Sequence, residues 1–255
     1  MPLDISTYSL ALLRLDGRRW NELRRLTAQI RTQASADGSS YLEMGNTKVI
    51  CTVVGPSEGK SGGGGGGQRD RALVDVAISV AGFSGVDRKR GAGRGDKRLA
   101  EMQTTLSSAF SHILLTNLYP HSTIALSLHI LAQDGSVLAA CINAATLALI
   151  DAGIPMRDYV CACTAGSTSS YSSNDEKADP LLDLNASEEQ ELPFLTVATV
   201  GKSDDVAVLV METRVQVGRL EGMLAVGVDG CKQVRDIMDM VVRERGQRML
   251  EGTRI

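Results

Sequence analysis

Hydrophobic positions along this 255-residue chain follow two different periods, and the switch between them marks the predicted elements. Short apolar or alternating runs bounded by turn residues are typical of strands, whereas longer stripes with spacings of three and four residues are typical of helices. The run 48–54 predicts a strand ended by Gly55-Pro56, and the run 74–80 has apolar residues on both faces. The predicted strands are 48–54, 74–80, 123–132, 159–164, 180–184, 194–200 and 206–211.

Three longer segments predict helices. An apolar stripe that begins at Leu99 predicts a helix over 97–118, closed by Tyr119-Pro120. The run 137–151 is rich in alanine and apolar all round, which is typical of a buried helix, and Gly153 stands where a C-cap is expected. A third stripe, starting at Val217, predicts a final helix over about 216–245.

Strands followed by a helix occur twice along the chain, and this order predicts an α+β fold. The two halves would meet near 153–160, which gives a first domain over 10–153 and a second over 154–250. Two polar or glycine-rich segments, 57–68 and 167–178, predict flexible surface loops, because neither composition can form a packed core.

Composition narrows the class of protein. Only 4% of residues are aromatic, which argues against recognition of many stacked bases, and no apolar run is long enough for a membrane span. The start of the chain lacks the pattern of a signal peptide. An odd number of cysteines in apolar runs predicts reduced thiols in a cytosolic or nuclear protein. Neither Cys161 with Cys163 nor the three histidines, at positions 112, 121 and 129, has the spacing of a metal site, so no metal is expected.

The segment 87–101 is a basic cluster on a chain whose formal net charge is −3. Its glycines allow close approach of the backbone, and it opens onto a predicted helix N-terminus, where free N–H groups favour anions. These features predict binding of a phosphate-rich ligand, although a solvated loop would have the same composition. Arg94 and Arg98 are the first choices for contacts with that ligand, unless Arg98 instead forms an ion pair with Glu101 on the same helix. The candidate RNA-binding residues are Arg88, Lys89, Arg90, Arg94, Lys97 and Arg98.

Several short motifs together resemble the RNase PH family of phosphate-dependent 3′→5′ exoribonucleases, including its members in the eukaryotic exosome ring. The resemblance spans about residues 10–245. The motifs that carry it are Arg14-Leu-Asp-Gly-Arg18, Gly38-Ser39, Gly45-Asn-Thr47, Val53-Val-Gly-Pro56, Asp151-Ala-Gly-Ile-Pro-Met-Arg-Asp158 and Pro180-Leu-Leu-Asp-Leu-Asn185.

The resemblance implies a ribosomal-protein-S5-like RNase PH fold, with two similar α/β halves, mixed sheets and flanking helices. It also implies a six-membered ring of RNase PH-like exosome subunits that admits single-stranded RNA to a central channel. Cap subunits and a hydrolytic nuclease would join the ring, in the nucleus, the nucleolus and the cytoplasm. The basic cluster would then grip the RNA backbone without reading its sequence.

Two departures from the family pattern bear on activity. Active relatives hold phosphate with an arginine in the turn that follows the equivalent of Asp134-Gly135-Ser136, and Leu138 occupies that position here, or Val137 if the alignment slips by one. Active relatives also place an aspartate where this chain has Glu191, which is otherwise interpreted as an exposed loop carboxylate. Because phosphoryl transfer depends on such charge-stabilising donors, we expect a chain without catalytic residues.

Three functions therefore stand as hypotheses. The first is a non-catalytic, RNA-binding ring subunit that supports 3′→5′ RNA processing and needs no cofactor. The second is an active phosphorolytic exoribonuclease that uses phosphate and Mg²⁺. The third is an RNA-binding protein with no degradative role.

Overall fold

The computed structural model describes residues 14, 16–58, 70–85, 96–168, 180–215 and 217–252. The described residues form two sheets. The first has the strand order β1-β2-β3-β5-β4 and is antiparallel except for the parallel pair β4/β5. Its strands are β1 (Leu26–Ile30), β2 (Gly38–Met44), β3 (Thr47–Glu58), β4 (Leu73–Val80) and β5 (Ser122–Ala132). The second sheet is wholly antiparallel, in the order β7-β6-β8-β9, and contains β6 (Val160–Ser167), β7 (Pro180–Leu182), β8 (Phe194–Val200) and β9 (Val206–Met211).

One helix, α2 (Val137–Asp151), lies between the two sheets and packs on β2, β3 and β6. Every side chain from position 139 to 149 is buried, as the absence of a polar face predicted. Its bounds agree with those predicted, and Gly153 takes the positive φ of +68° that ends the helix. Both sheets therefore share a single core.

Two polar residues of α2 complete the edge of β6. Strand β7 pairs with only the last three residues of β6, so the earlier backbone groups of β6 need other partners. The amide of Asn143 donates to the carbonyl of Ala162 at 2.9 Å and accepts from the Ala162 N–H at 2.8 Å. The hydroxyl of Thr146 donates to the carbonyl of Val160 at 2.8 Å. The helix thus replaces a missing strand with side chains.

The other helices are α1 (Lys97–Ile113), the short α3 (Ala186–Glu191) and α4 (Val217–Gly252). Helix α1 packs on β4, and α4 packs on β6, β7 and β8 of the second sheet and also contacts β1. The predicted end of α1 at 118 is wrong. Leu114 turns into extended backbone and forms a bridge with Met156, and only a 3₁₀ turn follows at Thr116–Leu118. The apolar stripe predicted for α4 was expected to be buried, but its first residue, Val217, is 83% exposed.

Three details of the strands also differ from expectation. Strand β3 does not end at Gly55-Pro56 but passes through a bulge there and pairs again at Ser57 and Glu58. Those two residues therefore belong to the sheet, while 59–69 lie outside the described residues. Strand β4 alternates between buried and exposed positions, so only one of its faces is buried. Strand β7 stops at Leu182 because Asp183 has a φ of +51°.

All five cysteines are buried and none forms a disulfide. Burial raises the pKa of the Cys141 and Cys161 thiols to about 12 and that of Cys231 to about 11. The thiols consequently stay protonated near neutral pH and behave as small core residues.

The contact between β2 and α2 predicts the effect of a single methyl group. A β-carbon added at Gly38 would lie 2.3 Å from the carbonyl oxygen of Ala148 and 2.5 Å from the amide nitrogen of Ala152. Gly38→Ala should therefore lower the free energy of unfolding by about 1–3 kcal/mol, because the backbone must shift. Gly222→Ala is the control, since its added methyl would meet no atom within 4 Å on an exposed helix face and should stabilise the protein by about 0.5–1 kcal/mol. Urea unfolding measures both, and equal midpoints for the two variants would contradict this packing.

Candidate functional site

The turn between β5 and α2 lies where the two halves of the chain meet. Gly135 and Ser136 both have positive φ, of +76° and +54°. A side chain at Gly135 would strike the backbone of the second half, since an added β-carbon would lie 2.5 Å from the carbonyl oxygen of Leu184. The hydroxyl of Thr47 donates to the Gly135 carbonyl at 2.7 Å, which fixes the turn against β3. The turn therefore places the N-terminus of α2, with its free N–H groups, where the two halves of the chain meet.

Ser136 joins the turn to the second half through its hydroxyl. The Oγ atom is within hydrogen-bonding distance of the Thr164 hydroxyl, of Asp183 Oδ1 at 3.0 Å and of the Leu184 carbonyl at 3.2 Å. The residue is 1% exposed, and an uncommon left-handed conformation for serine is maintained by these contacts.

Asp183 is a buried carboxylate held by Arg24. The guanidinium donates from Nη2 to Oδ1 at 2.7 Å and from Nε to Oδ2 at 3.0 Å, and the Arg24 backbone N–H adds a third bond at 2.9 Å. Burial alone would raise the pKa of Asp183, but the hydrogen bonds and charge of Arg24, with a further contribution from Arg18, hold the pKa below its usual value. The remaining Nη1 of Arg24 donates to the Asp134 carbonyl.

A second buried ion pair lies beside the first. Arg14 donates from Nε to Glu188 Oε1 at 2.9 Å, and its Nη2 donates to Glu188 Oε2 and to the carbonyl of Asp183. Arg18 donates to the same carbonyl at 3.1 Å and to the side-chain oxygen of Asn185 at 3.2 Å. Arg14, Arg18 and Arg24 are therefore bound to the second half and not directed at solvent.

Glu189 is the carboxylate that reaches the N-terminus of α2. The Ser136 N–H donates to its Oε1 at 2.6 Å. Burial is the largest influence on this group and raises the pKa of Glu189, while the Ser136 N–H and the charges of Arg24 and Arg98 act in the opposite direction. Helix α3 is fixed onto the turn at its own start, where the Ala186 N–H faces Asp134 Oδ1 at 3.4 Å.

Comparison with known proteins assigns this arrangement to a family. The model of the 3′ exoribonuclease family matches its domain 1 to residues 22–155 and its domain 2 to residues 158–230. The chain belongs to the RNase PH family. Its expected α+β fold is confirmed, and the resemblance noted in the sequence is confirmed with it.

The relatives of this RNase PH family member extend over nearly its whole length. It is 40% identical over 251 residues to the exosome complex component SKI6 of Saccharomyces cerevisiae, which covers 97% of both chains. It is 41% identical over 232 residues to the exosome complex component RRP41 of Homo sapiens, with 91% of both chains covered. Among solved structures, rice Rrp46 matches 90% of this chain and 100% of its own with a TM-score of 0.77, and its 24% identity shows the fold alone.

The structure places the two positions that were expected to have lost catalytic residues on different helices. Val137 and Leu138 form the first turn of α2 and pack against the shared core. Glu191 is exposed at the last residue of α3, so it ends a helix and is not in a loop. The sequence did not indicate Glu189, which is the carboxylate that contacts the turn. Whether Leu138 replaces a phosphate-binding arginine stays a prediction.

Only part of the predicted basic cluster is described. Arg88, Lys89, Arg90 and Arg94 lie outside the described residues, as do positions 169–178 of the second predicted loop, whereas Ser167 ends β6 and Thr168 is buried. Lys97 and Arg98 begin α1 and are exposed. Arg98 lies 3.8 Å from Glu212 Oε1, so its ionic partner is Glu212 and not Glu101, which was the alternative to an RNA contact.

The start of α1 also differs from expectation. The carboxylate of Asp96 accepts from the Arg98 N–H at 3.2 Å, so an acidic cap already uses one of the free N–H groups. Within the described ranges, the His, Cys, Asp and Glu side chains form no group of three or more that could hold a metal ion. No helix there has the length and apolar character needed to cross a membrane.

The Arg24–Asp183 pair predicts a large, pH-dependent loss of stability on substitution. Asp183→Asn leaves a buried guanidinium without its counter-charge and should lower the free energy of unfolding by about 3–5 kcal/mol. Because the folded-state pKa of Asp183 is below the usual value of 3.8, the stabilisation is complete above that pH and is lost as pH falls through the folded-state pKa. Denaturation of the unmodified protein and of Asp183→Asn, from neutral pH down through the folded-state pKa, gives the difference in their free energies of unfolding. The exposed Asp75→Asn is the control. A difference that vanished already near neutral pH would contradict the assignment.

Proposed function

We propose that this chain is an RNA-binding ring subunit of an RNA exosome and has no phosphorolytic activity of its own. The proposed lack of phosphorolytic activity rests on the start of α2. There Leu138 packs on the core and the Ser136 N–H already binds Glu189. Phosphoryl transfer requires positive charge and free donors around the transferred group. At this helix start position 138 supplies no positive charge, and one backbone donor is already bound to Glu189.

Ring membership is supported by the relatives, which are named as exosome complex components and are covered over 97% and 91% of their lengths. In the proposed assembly, other RNase PH-like subunits flank this chain, and single-stranded RNA passes through the ring. Cap subunits and a hydrolytic nuclease complete the complex, which works in the nucleus, the nucleolus and the cytoplasm. The basic segment 87–98 supplies phosphate contacts that position RNA without selecting a sequence.

The buried arginines cannot be the RNA contacts in this proposal. Arg14 and Arg24 are 5% and 7% exposed, and carboxylates or carbonyls bind their guanidinium groups. Arg98 is different, because 65% of its side chain is exposed and its distance to Glu212 is at the long end for an ion pair. An exposed pair of this kind contributes little and can be exchanged for a phosphate.

The absence of phosphorolysis is directly testable. The chain, alone and in a reconstituted ring without hydrolytic nuclease, should release no ADP from polyadenylate RNA supplied with orthophosphate and Mg²⁺. Leu138→Arg alone should not change this result, because Glu191 would still stand at the acid position and the contacts to the partner subunit would still differ from those of active relatives. An active bacterial RNase PH in the same assay is the positive control. Processive ADP release by the unmodified chain would support the phosphorolytic hypothesis instead.

The RNA contact is tested by charge removal at the start of α1. Arg94→Ala/Arg98→Ala rings should bind single-stranded RNA more weakly for all sequences alike. The slope of log affinity against log salt concentration should become shallower by about 0.7 for each lost phosphate contact. Arg243→Ala is the matched control, since it removes an equally exposed arginine from α4. If both rings keep the salt dependence of the unmodified ring, the basic segment serves subunit contact and not RNA.

A further inference from the structure

Phe83 is a large apolar side chain that packs against no core of the described chain. It is 72% exposed and belongs to none of the apolar clusters that the described residues form. We propose that its ring is a stacking platform for one base of single-stranded RNA, beside the exposed cations Lys97 and Arg98. This assignment rests on the proposed function and extends it from the phosphates of the RNA to its bases.

The turn that carries Phe83 is fixed at both ends to β5. The Ser84 N–H donates to the Ala81 carbonyl at 2.9 Å, which closes a four-residue turn with Phe83 at its third position. The Ala81 N–H donates to the Ile130 carbonyl at 2.9 Å, and the Gln133 N–H donates to the Ser84 carbonyl at 3.0 Å. Because the backbone is already ordered, a base that stacks on the ring restricts little further motion of the protein.

Phe83 lies beside the start of α1, because α1 packs along β4 in the opposite direction. The Ala72 N–H, just before β4, donates to the Thr116 carbonyl, just after α1, at 3.0 Å. The end of α1 is therefore at the start of β4, and the start of α1 is near the end of β4. Lys97 and Arg98 are exposed at that start of α1, and Phe83 follows the end of β4 by three residues.

The surroundings of Phe83 favour a nucleic-acid base over an apolar protein surface. Apolar anchors of protein interfaces lie in well-packed groups, whereas Gly82 and Ser84 flank Phe83 in its turn. The exposed leucine of β4, Leu73, is at the opposite end of that strand. Cations that follow the phosphates and a ring that stacks on a base are the combination by which proteins bind single strands. The aromatic content of 4% argues against many such platforms but allows one.

The affinity of the assembled ring for polyadenylate RNA tests the platform. Phe83→Ala should weaken binding by about five- to tenfold, because the stacking of one base is lost. The slope of log affinity against log salt concentration should not change, since no phosphate contact is removed, whereas Arg98→Ala should make that slope shallower. Phe83→Trp should keep the affinity of the unmodified ring. Leu118→Ala is the matched control, because it removes an apolar side chain that is 60% exposed beyond the far end of α1.

Abasic RNA separates stacking from every other contribution to affinity. An oligomer of ribose phosphate without bases keeps all its phosphates but offers nothing to stack on an aromatic ring. Unmodified and Phe83→Ala rings should therefore bind it equally. A loss of affinity for abasic RNA as large as that for polyadenylate would overturn the assignment of Phe83 to a base.

The remaining outcomes separate this assignment from the proposed function. Equal affinity of unmodified and Phe83→Ala rings for polyadenylate would overturn the platform and leave the proposed function intact. Native mass measurement shows whether Phe83→Ala still enters the ring, and its exclusion would assign Phe83 to a subunit contact instead. An unmodified ring that binds no single-stranded RNA would contradict the proposed function itself.

Discussion

The buried pair of Arg24 and Asp183 is the interaction on which the junction of the two sheets depends. Charges taken out of water are costly unless their partners satisfy them fully, and here both carboxylate oxygens accept bonds from Arg24. Asp183 Oδ1 also accepts from the Ser136 hydroxyl. One carboxylate therefore orders the start of the described chain, the turn before α2 and the segment after β7.

Two adjacent glutamates extend this junction in different directions. Glu188 is buried and fixes helix α3 to Arg14, whereas Glu189 reaches across to the turn and meets the backbone of Ser136. Helix α1 shows the same principle in a simpler form, since Asp96 caps its own first turn. Both helix starts that resemble anion sites in sequence are thus supplied with a carboxylate by the protein itself.

Sequence patterns predicted the parts of the fold that are set by local composition. The bounds of α2 agreed because a nearly continuous apolar run leaves only one way to bury it, and Asn143, Thr146 and the terminal Asp151 were its only polar members. Helix α1 was predicted too long because Leu114 continues the apolar stripe but pairs with Met156, far along the chain. Periodicity does not report such a distant partner.

The candidate site was harder to predict for the same reason. Asp183 is a single acid in an apolar run, a pattern that favours a buried, paired carboxylate, yet nothing local identifies Arg24 as its partner. The basic segment was conspicuous by composition, whereas Glu189 was one acid among several in an acidic run. Its role depends on the turn at Gly135, which brings two distant segments to one place.

The distance along the chain between these partners has a consequence for synthesis on the ribosome. Arg14 and Arg24 are separated from Glu188 and Asp183 by 174 and 159 residues. At a synthesis rate of about 5–20 residues per second, the arginines emerge roughly ten to thirty seconds before their counter-charges. Late in that interval α2 is synthesised, and the first sheet covers one of its sides before β6 follows and packs on the other. The nascent chain therefore carries unpaired cations until its second half emerges, and the junction can close only after nearly three quarters of the chain has been made.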